Sequence, residues 1–166
     1  MKPSAVIDSS ALINLVHLEL AKYLSLYFDA VYVPREVEKE VSRKSRFRYR
    51  LRSLYRASVL KKCKVEDETR ARLLHELDKG EAEAISQAQE LPANMFIGDE
   101  KKARRIAANM RITPVGTARI LARMHLEEYA DEPRRLIRKL RKDLNCYIAE
   151  ELVEEAIRMA TTPIGR

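Results

Sequence analysis

Cysteine is scarce. Cys63 and Cys146 are the only two, they lie far apart and form no CxxC pair, so neither a disulfide framework nor a zinc knuckle is indicated. Glycine is almost as sparse, and Gly80, Gly98, Gly116 and Gly165 build neither a P-loop nor a dinucleotide-binding fingerprint. The histidines, His17, His75 and His125, lack HExxH spacing and read as core-edge or surface residues. No GxSxG elbow occurs, which argues against an α/β-hydrolase triad. No apolar run approaches the length of a membrane span, and the N-terminal apolar segment contains Asp8 and lacks a signal-peptide layout. The expectation is a soluble protein of the reducing cytoplasm with no membrane partner.

Charge and apolar residues, by contrast, are plentiful. The 166 residues are 46% hydrophobic and 34% charged, a composition that folds rather than stays disordered, and the length suits one domain over 1–166. The formal net charge is +7, so an anionic partner is expected, nucleic acid first.

The stretch Ala5-Val6-Ile7-Asp8-Ser9-Ser10-Ala11-Leu12 reads as a buried strand that stops at an aspartate and runs into a helix. Asp8 has two readings. It caps the helix, as Ser9 or Ser10 would also do, or it is a site carboxylate at the carboxyl end of a strand, where open α/β sheets bind ligands. Helical spacing continues over 11–28 with a break near Leu18-Glu19, and Ala30 to Val33 reads as a second strand. Pro34 is suited to helix entry, so Arg35 to Arg43 is expected to be helical, with Glu36 and Glu40 on one face and Glu38 in solvent. From Arg43 to Lys64 there are ten cations and no acid. Arg43, Lys44, Arg46, Arg48, Arg50 and Arg52 are interleaved with Phe47, Tyr49 and Tyr55, which suits single-stranded RNA, whose phosphates need cations and whose bases stack on aromatics. A solvated basic helix or a dock for an acidic protein fits the same pattern.

Val59 to Val65 is expected to form an edge strand protected by lysines, and Asp67 to Leu77 a helix closed by Gly80 as its C′ residue. A new helix then opens at Glu81, with Ala84, Ile85 and Ala88 on its inner face. Glu81 and Glu83 either complement the helix dipole or, for Glu81, face the strand ends. Pro92 stops this helix. Asn94 to Gly98 is another strand ending in a carboxylate, Asp99, with Glu100 after it. A helix from Lys101 to Met110 follows, basic through Arg104 and its neighbours. Ile112 to Val115, Gly116-Thr117 and a helix over 118–124 complete an alternation that implies a parallel sheet with right-handed crossovers. A helical pair over about 132–160, packed on the sheet, a partner or each other, precedes a loose tail over 161–166. There is no internal repeat or linker.

Asp8 and Asp99 at strand ends, with Glu40 and Glu81 on helices, are placed to converge. Clustered carboxylates repel one another and take up either protons or a cation. Oxygen ligands favour Mg²⁺ or Mn²⁺, and such an ion supports attack of water on a phosphodiester. An aspartyl phosphatase is a remoter alternative, since its second aspartate would stand two residues after the first, where this chain has Ser10.

The segments Val6-Ile7-Asp8-Ser9-Ser10-Ala11-Leu12, Val33-Pro34 to Glu40, Gly80-Glu81-Ala82-Glu83-Ala84-Ile85, Asp99 to Arg105 and Val115-Gly116-Thr117, in that order, resemble a PIN domain of the prokaryotic VapC-like toxin subgroup. The resemblance extends to the C-terminal helices. It implies a three-layer α/β/α fold around a parallel sheet and a Mg²⁺-dependent ribonuclease for single-stranded RNA, with an antitoxin as candidate partner and a homodimeric state expected. Position by position, it makes Asp8, Glu40, Glu81 and Asp99 the catalytic and metal-binding acids, with Glu83 and Glu100 secondary. Ser10 and Thr117 become polar neighbours, and Arg104 joins the basic stretch in RNA binding. The chain departs from many of these toxins in having glutamate as third acid and Ile97 where a serine or threonine often precedes the last acid. A non-catalytic or weakly catalytic RNA-binding module, regulated by a partner, is the alternative.

Overall fold

The computed structural model describes residues 1–64, 77–91 and 93–165. Its five strands are β1 (Ser4–Ile7), β2 (Ala30–Pro34), β3 (Leu60–Cys63), β4 (Met95–Ile97) and β5 (Thr113–Val115). All pair in parallel, in the order β3-β2-β1-β4-β5. The helices are α1 (Ser9–His17), α2 (Leu24–Tyr27), α3 (Arg35–Val41), α4 (Ser45–Arg56), α5 (Lys79–Glu90), α6 (Lys101–Asn109), α7 (Thr117–Leu126), α8 (Pro133–Leu144) and α9 (Glu150–Arg158).

The period of two along each strand divides the core. Ala5, Ile7, Val31, Val33, Met95 and Ile97 point into a large cluster with α1 to α4 and α7 to α9. Val6 and Phe96 point the other way, against Ala84, Ile85 and Ala88 of α5 and Ala103 and Ala107 of α6. Covered on both faces, the central strands are apolar throughout, as a buried parallel sheet requires. The expected α/β/α architecture is the one observed. The lysine-bearing β3 lies at one edge, with Lys61 and Lys62 exposed, and Pro114 blunts the other edge. Among the described residues no helix is long and apolar enough to cross a membrane.

Two local expectations are corrected. Gly80 does not close a helix; it lies inside the first turn of α5, whose N-cap is Asp78. Asp78 and Glu81 form a capping box: the Glu81 N–H donates to Asp78 Oδ1 at 2.8 Å, and the Asp78 N–H donates to Glu81 Oε2 at 3.4 Å. The D-x-x-E spacing carried that signal and overrode the glycine. Apart from Leu77, the helix expected over 67–77 lies outside the described residues, as do Val65 and Pro92. The terminal segment is also held rather than loose. Arg119 and Arg123 of α7 donate to the carbonyls of Thr162, Ala160 and Thr161, and Ile164 packs on the large core. The last two helices pack on α7 and on each other.

The break at Leu18-Glu19 is present, with Glu19 in the left-handed region at φ 62°. Strand order then fixes the region of interest. From β1 the chain moves outward to β2 and β3, then returns to place β4 on the other side of β1. The carboxyl ends of β1 and β4 therefore flank a topological switch point, where α/β sheets open a crevice.

Candidate active site

Asp8 follows β1 directly, and its N–H donates to the Ile97 carbonyl at 2.9 Å. The β1–β4 register sets Ile7 beside Ile97, so Asp8 stands level with Gly98 and one residue short of Asp99. Its side chain is 2% exposed. Oδ1 accepts the Ala11 N–H at 2.7 Å and so caps α1. Asp8 is thus the cap after all; Ser9 and Ser10 are already inside the helix, Ser9 buried and Ser10 exposed. The second oxygen, Oδ2, lies beside Gly98, where an added Cβ would come within 2.7 Å of it and 2.5 Å of the Phe96 ring. Gly98 is needed because this approach leaves no room for a side chain.

Asp99 is gripped from two helices. Its Oδ1 accepts the Thr117 N–H at 2.7 Å, and its Oδ2 accepts Thr117 Oγ1 at 2.5 Å and Asn14 Nδ2 at 3.3 Å. Thr117 opens α7, so Asp99 sits at the positive end of that helix. Gly116 permits the approach: a Cβ there would lie 3.2 Å from Asp99 Oδ1 and 3.4 Å from Arg104 Nη1.

Glu81 approaches from the first turn of α5, half-buried. Glu40, on α3, is exposed, and its Oε2 would lie 3.9 Å from a Cβ on Gly80. The charges of this group act on each other. Burial first, then the carboxylates of Asp99, Glu81 and Asp78, push the Asp8 pKa well above the ordinary range, against the Ala11 hydrogen bond. Burial likewise raises Asp99, although Thr117, Arg104 and Asn14 favour its charged form. Glu81 is pushed up to about 7 by burial and by Asp78, with Glu100 and Glu40 adding to the effect. Burial is the largest cause for all three, and the repulsion of neighbouring carboxylates adds to it at Asp8 and Glu81.

A family model described as a PIN domain matches residues 4–162. The chain belongs to the PIN domain family. No curated protein matches it. PIN domains are in general nucleases, which makes a hydrolase role the coarse assignment for this one.

Within this PIN domain the remaining expected site residues divide. Glu83 turns to α3, where it accepts the Glu36 N–H at 3.1 Å, and Glu100 caps α6 by accepting the Lys102 N–H at 3.1 Å. Among the described residues no three His, Cys, Asp or Glu side chains stand close enough to hold one ion together. Oxygen donors from Asp8, Asp99 and Glu81 nonetheless have the chemistry that a hard divalent cation takes.

Three participants escaped the sequence reading. Asn14 is 2% exposed on α1 and holds Asp99; a buried amide on an otherwise apolar helix face was its signal. Asp78 was signalled by the capping box, and Gly98 by a glycine standing between a strand and an acid.

The basic stretch proves to be the amphipathic helix α4, which buries Phe47, Leu51 and Leu54. Arg50 donates to the Val16 carbonyl at 2.9 Å and pairs with Glu19, closing the end of α1. Arg48 donates twice to the Ser42 carbonyl. Lys44 and Arg46 lie over the Phe47 ring, while Arg43 and Arg52 are exposed. Of the interleaved aromatics only Tyr49 faces solvent, at 76% exposure; Phe47 is in the core and Tyr55 is half-buried.

Proposed function

We propose that this PIN domain is a metal-dependent endoribonuclease for single-stranded RNA, of the kind found in VapC-like toxins, with Asp8, Glu40, Glu81 and Asp99 as its acids. The observation that carries the proposal is Asp8 and Asp99 side by side across the β1–β4 switch point, each with elevated proton affinity and with Glu81 beside them. Mg²⁺ or Mn²⁺ suits the donor set, and when bound it supplies an acidified water and charge neutralisation at the phosphodiester. The chain's own part is preorganisation. The Ala11 N–H fixes one oxygen of Asp8 and leaves Oδ2 for the site. Thr117 and Asn14 immobilise Asp99. Glu81, with a pKa of about 7, gains and loses a proton at neutral pH within the same group.

RNA is the substrate of this proposal, reached through the field of a +7 chain. A cognate antitoxin, a homodimeric state and a cytoplasmic location belong to the same proposal. A second reading, RNA binding without cleavage, is supported by the unassembled spacing of the acids and by the exposed cations of α4. Incubation with single-stranded RNA and Mg²⁺, against an EDTA control, separates the two. Cleavage is expected in wild type and is expected to vanish in Asp8→Asn and Asp99→Asn; cleavage that persists in both variants overturns the assignment of these acids.

A further inference from the structure

Beside the acids a second feature remains unused. A cavity of about 230 Å³ is lined by Thr113, Pro114 and Val115 of β5, by Asp99, by Arg104 of α6 and Arg119 of α7, and by Met159 and Glu155. Both arginines carry a buried guanidinium nitrogen without a hydrogen-bond partner: Nε of Arg104 and Nη1 of Arg119. Neither guanidinium is ion-paired among the described residues; Arg119 spends another nitrogen on the Thr162 carbonyl, and Asp99 feels Arg104 only through its charge. A buried N–H without an acceptor is costly, and the two arginines that carry one here both line the same cavity.

We propose that Arg104 and Arg119 form a phosphate subsite that holds the RNA backbone one step away from the bond cut at the acid cluster. The placement favours a group that must lie near carboxylates and yet be anionic. A lone anion would meet the repulsion of Asp99 and Glu155, whereas a phosphate tethered to a chain held elsewhere is brought there by the rest of that chain. The volume is several times the roughly 30 Å³ of one water, which leaves room for the sugar against Pro114 and Met159. Burial and the charge of Arg123 disfavour the charged form of Arg119, so an anion beside it relieves an existing cost. Charge-assisted bonds from a planar guanidinium suit a phosphate in particular.

The subsite rests on the proposal that the acid cluster is where RNA is cut, but its test does not. Binding of a labelled single-stranded oligoribonucleotide is followed by fluorescence anisotropy in EDTA, over a series of salt concentrations, for Arg104→Gln and Arg119→Gln. Each substitution is expected to weaken binding about tenfold and to flatten the salt slope by ~0.7, the contribution of one single-strand phosphate. Arg104→Lys and Arg119→Lys retain the charge and are expected to retain the slope, which separates a phosphate contact from a loosened C-terminal segment. Unchanged affinity and slope in both Gln variants overturn the subsite, even if wild type cleaves RNA. Loss of binding in those variants supports it, even if wild type cleaves nothing, and then it is the cleavage reading that fails. Titration of ¹⁵N-labelled protein separates the anion's source: shifts of the two arginine Nε signals with the oligonucleotide support the proposal. Shifts with inorganic phosphate alone overturn it in favour of a free-phosphate site.

Discussion

Replacing Glu81 by glutamine should stabilise the metal-free protein at neutral pH while destroying its activity. Glutamine keeps the capping box with Asp78, because its side-chain oxygen accepts the same N–H, and it removes one charge from a repelling group. The rise of Glu81 from its ordinary value of 4.5 to about 7 corresponds to about 3 kcal/mol, at about 1.36 kcal/mol per pH unit. Glu81 is only half-buried, and solvent screening reduces this to roughly 1–2 kcal/mol. The sign follows from proton uptake. With its folded pKa raised, the native state binds more protons than the unfolded state between pH 4.5 and about 7, so wild-type stability falls as pH rises through that window. Below it both states are protonated, and wild type and variant should melt together; above it the gap should be constant. At about 2–4 °C per kcal/mol for a chain of this size, Glu81→Gln should melt about 2–8 °C higher at pH 8 in EDTA. Circular dichroism melts at several pH values measure it. A gap that is the same at pH 4 and pH 8, or a variant that melts lower at pH 8, refutes the account of Glu81 as a repelled acid. Added Mg²⁺ should narrow or reverse the gap, because a ligand stabilises the form that binds it by RT ln(1 + [L]/Kd).

Gly98→Ala should cost about 1–3 kcal/mol, the range for overpacking, because its Cβ would press within 2.5 Å of Phe96 and 2.7 Å of Asp8 Oδ2; urea denaturation gives the figure, and a neutral result removes the steric role of Gly98. On α4 the cations should separate by role. Arg52→Gln should leave stability within about 0.5 kcal/mol and flatten the salt slope of RNA binding. Arg50→Gln should instead cost roughly 1–2 kcal/mol by removing the charge-assisted hydrogen bond to the Val16 carbonyl and the ion pair with Glu19, with little effect on the slope, as denaturation and anisotropy on the same pair of variants will show.

What the sequence disclosed depended on how local the determining physics was. Strands β1, β2 and β4 were legible as short apolar runs bounded by turn residues, and Asp8 and Asp99 were marked because each stands where such a run ends. Gly80 was misassigned because two local rules competed there, a glycine C-cap and a D-x-x-E capping box, and the second carries two hydrogen bonds. The direction of a helical side chain is harder to read. Glu81 and Glu83 are two residues apart, yet one faces the acids and the other caps α3, a division that only the packing of α5 against the sheet decides. The same holds for α4, where composition marked five of the ten cations of the basic stretch but not that Arg48 and Arg50 are spent on carbonyls. Asn14 was invisible as a partner because its contact with Asp99 spans 85 positions.

The two readings of Asp8 were never exclusive, and the geometry explains why. A parallel strand that feeds a helix directly must cap that helix with the first residue beyond the strand, and at a switch point that residue also borders the crevice. One carboxylate then serves both needs if its oxygens separate, as they do here: Oδ1 on the Ala11 N–H, Oδ2 on the side of Gly98. The cap is what makes the buried charge tolerable, since its N–H is the one influence on Asp8 that lowers a proton affinity otherwise raised by burial and by three other acids. Asp99, two residues past β4, is held by a different helix: Glu100 caps the helix that follows β4, while Asp99 Oδ1 accepts the Thr117 N–H at the start of α7, which likewise favours its charged form. Helix starts thus hold the acids of this PIN domain in place against their own repulsion, and the free-energy cost of that repulsion is what a cation would relieve.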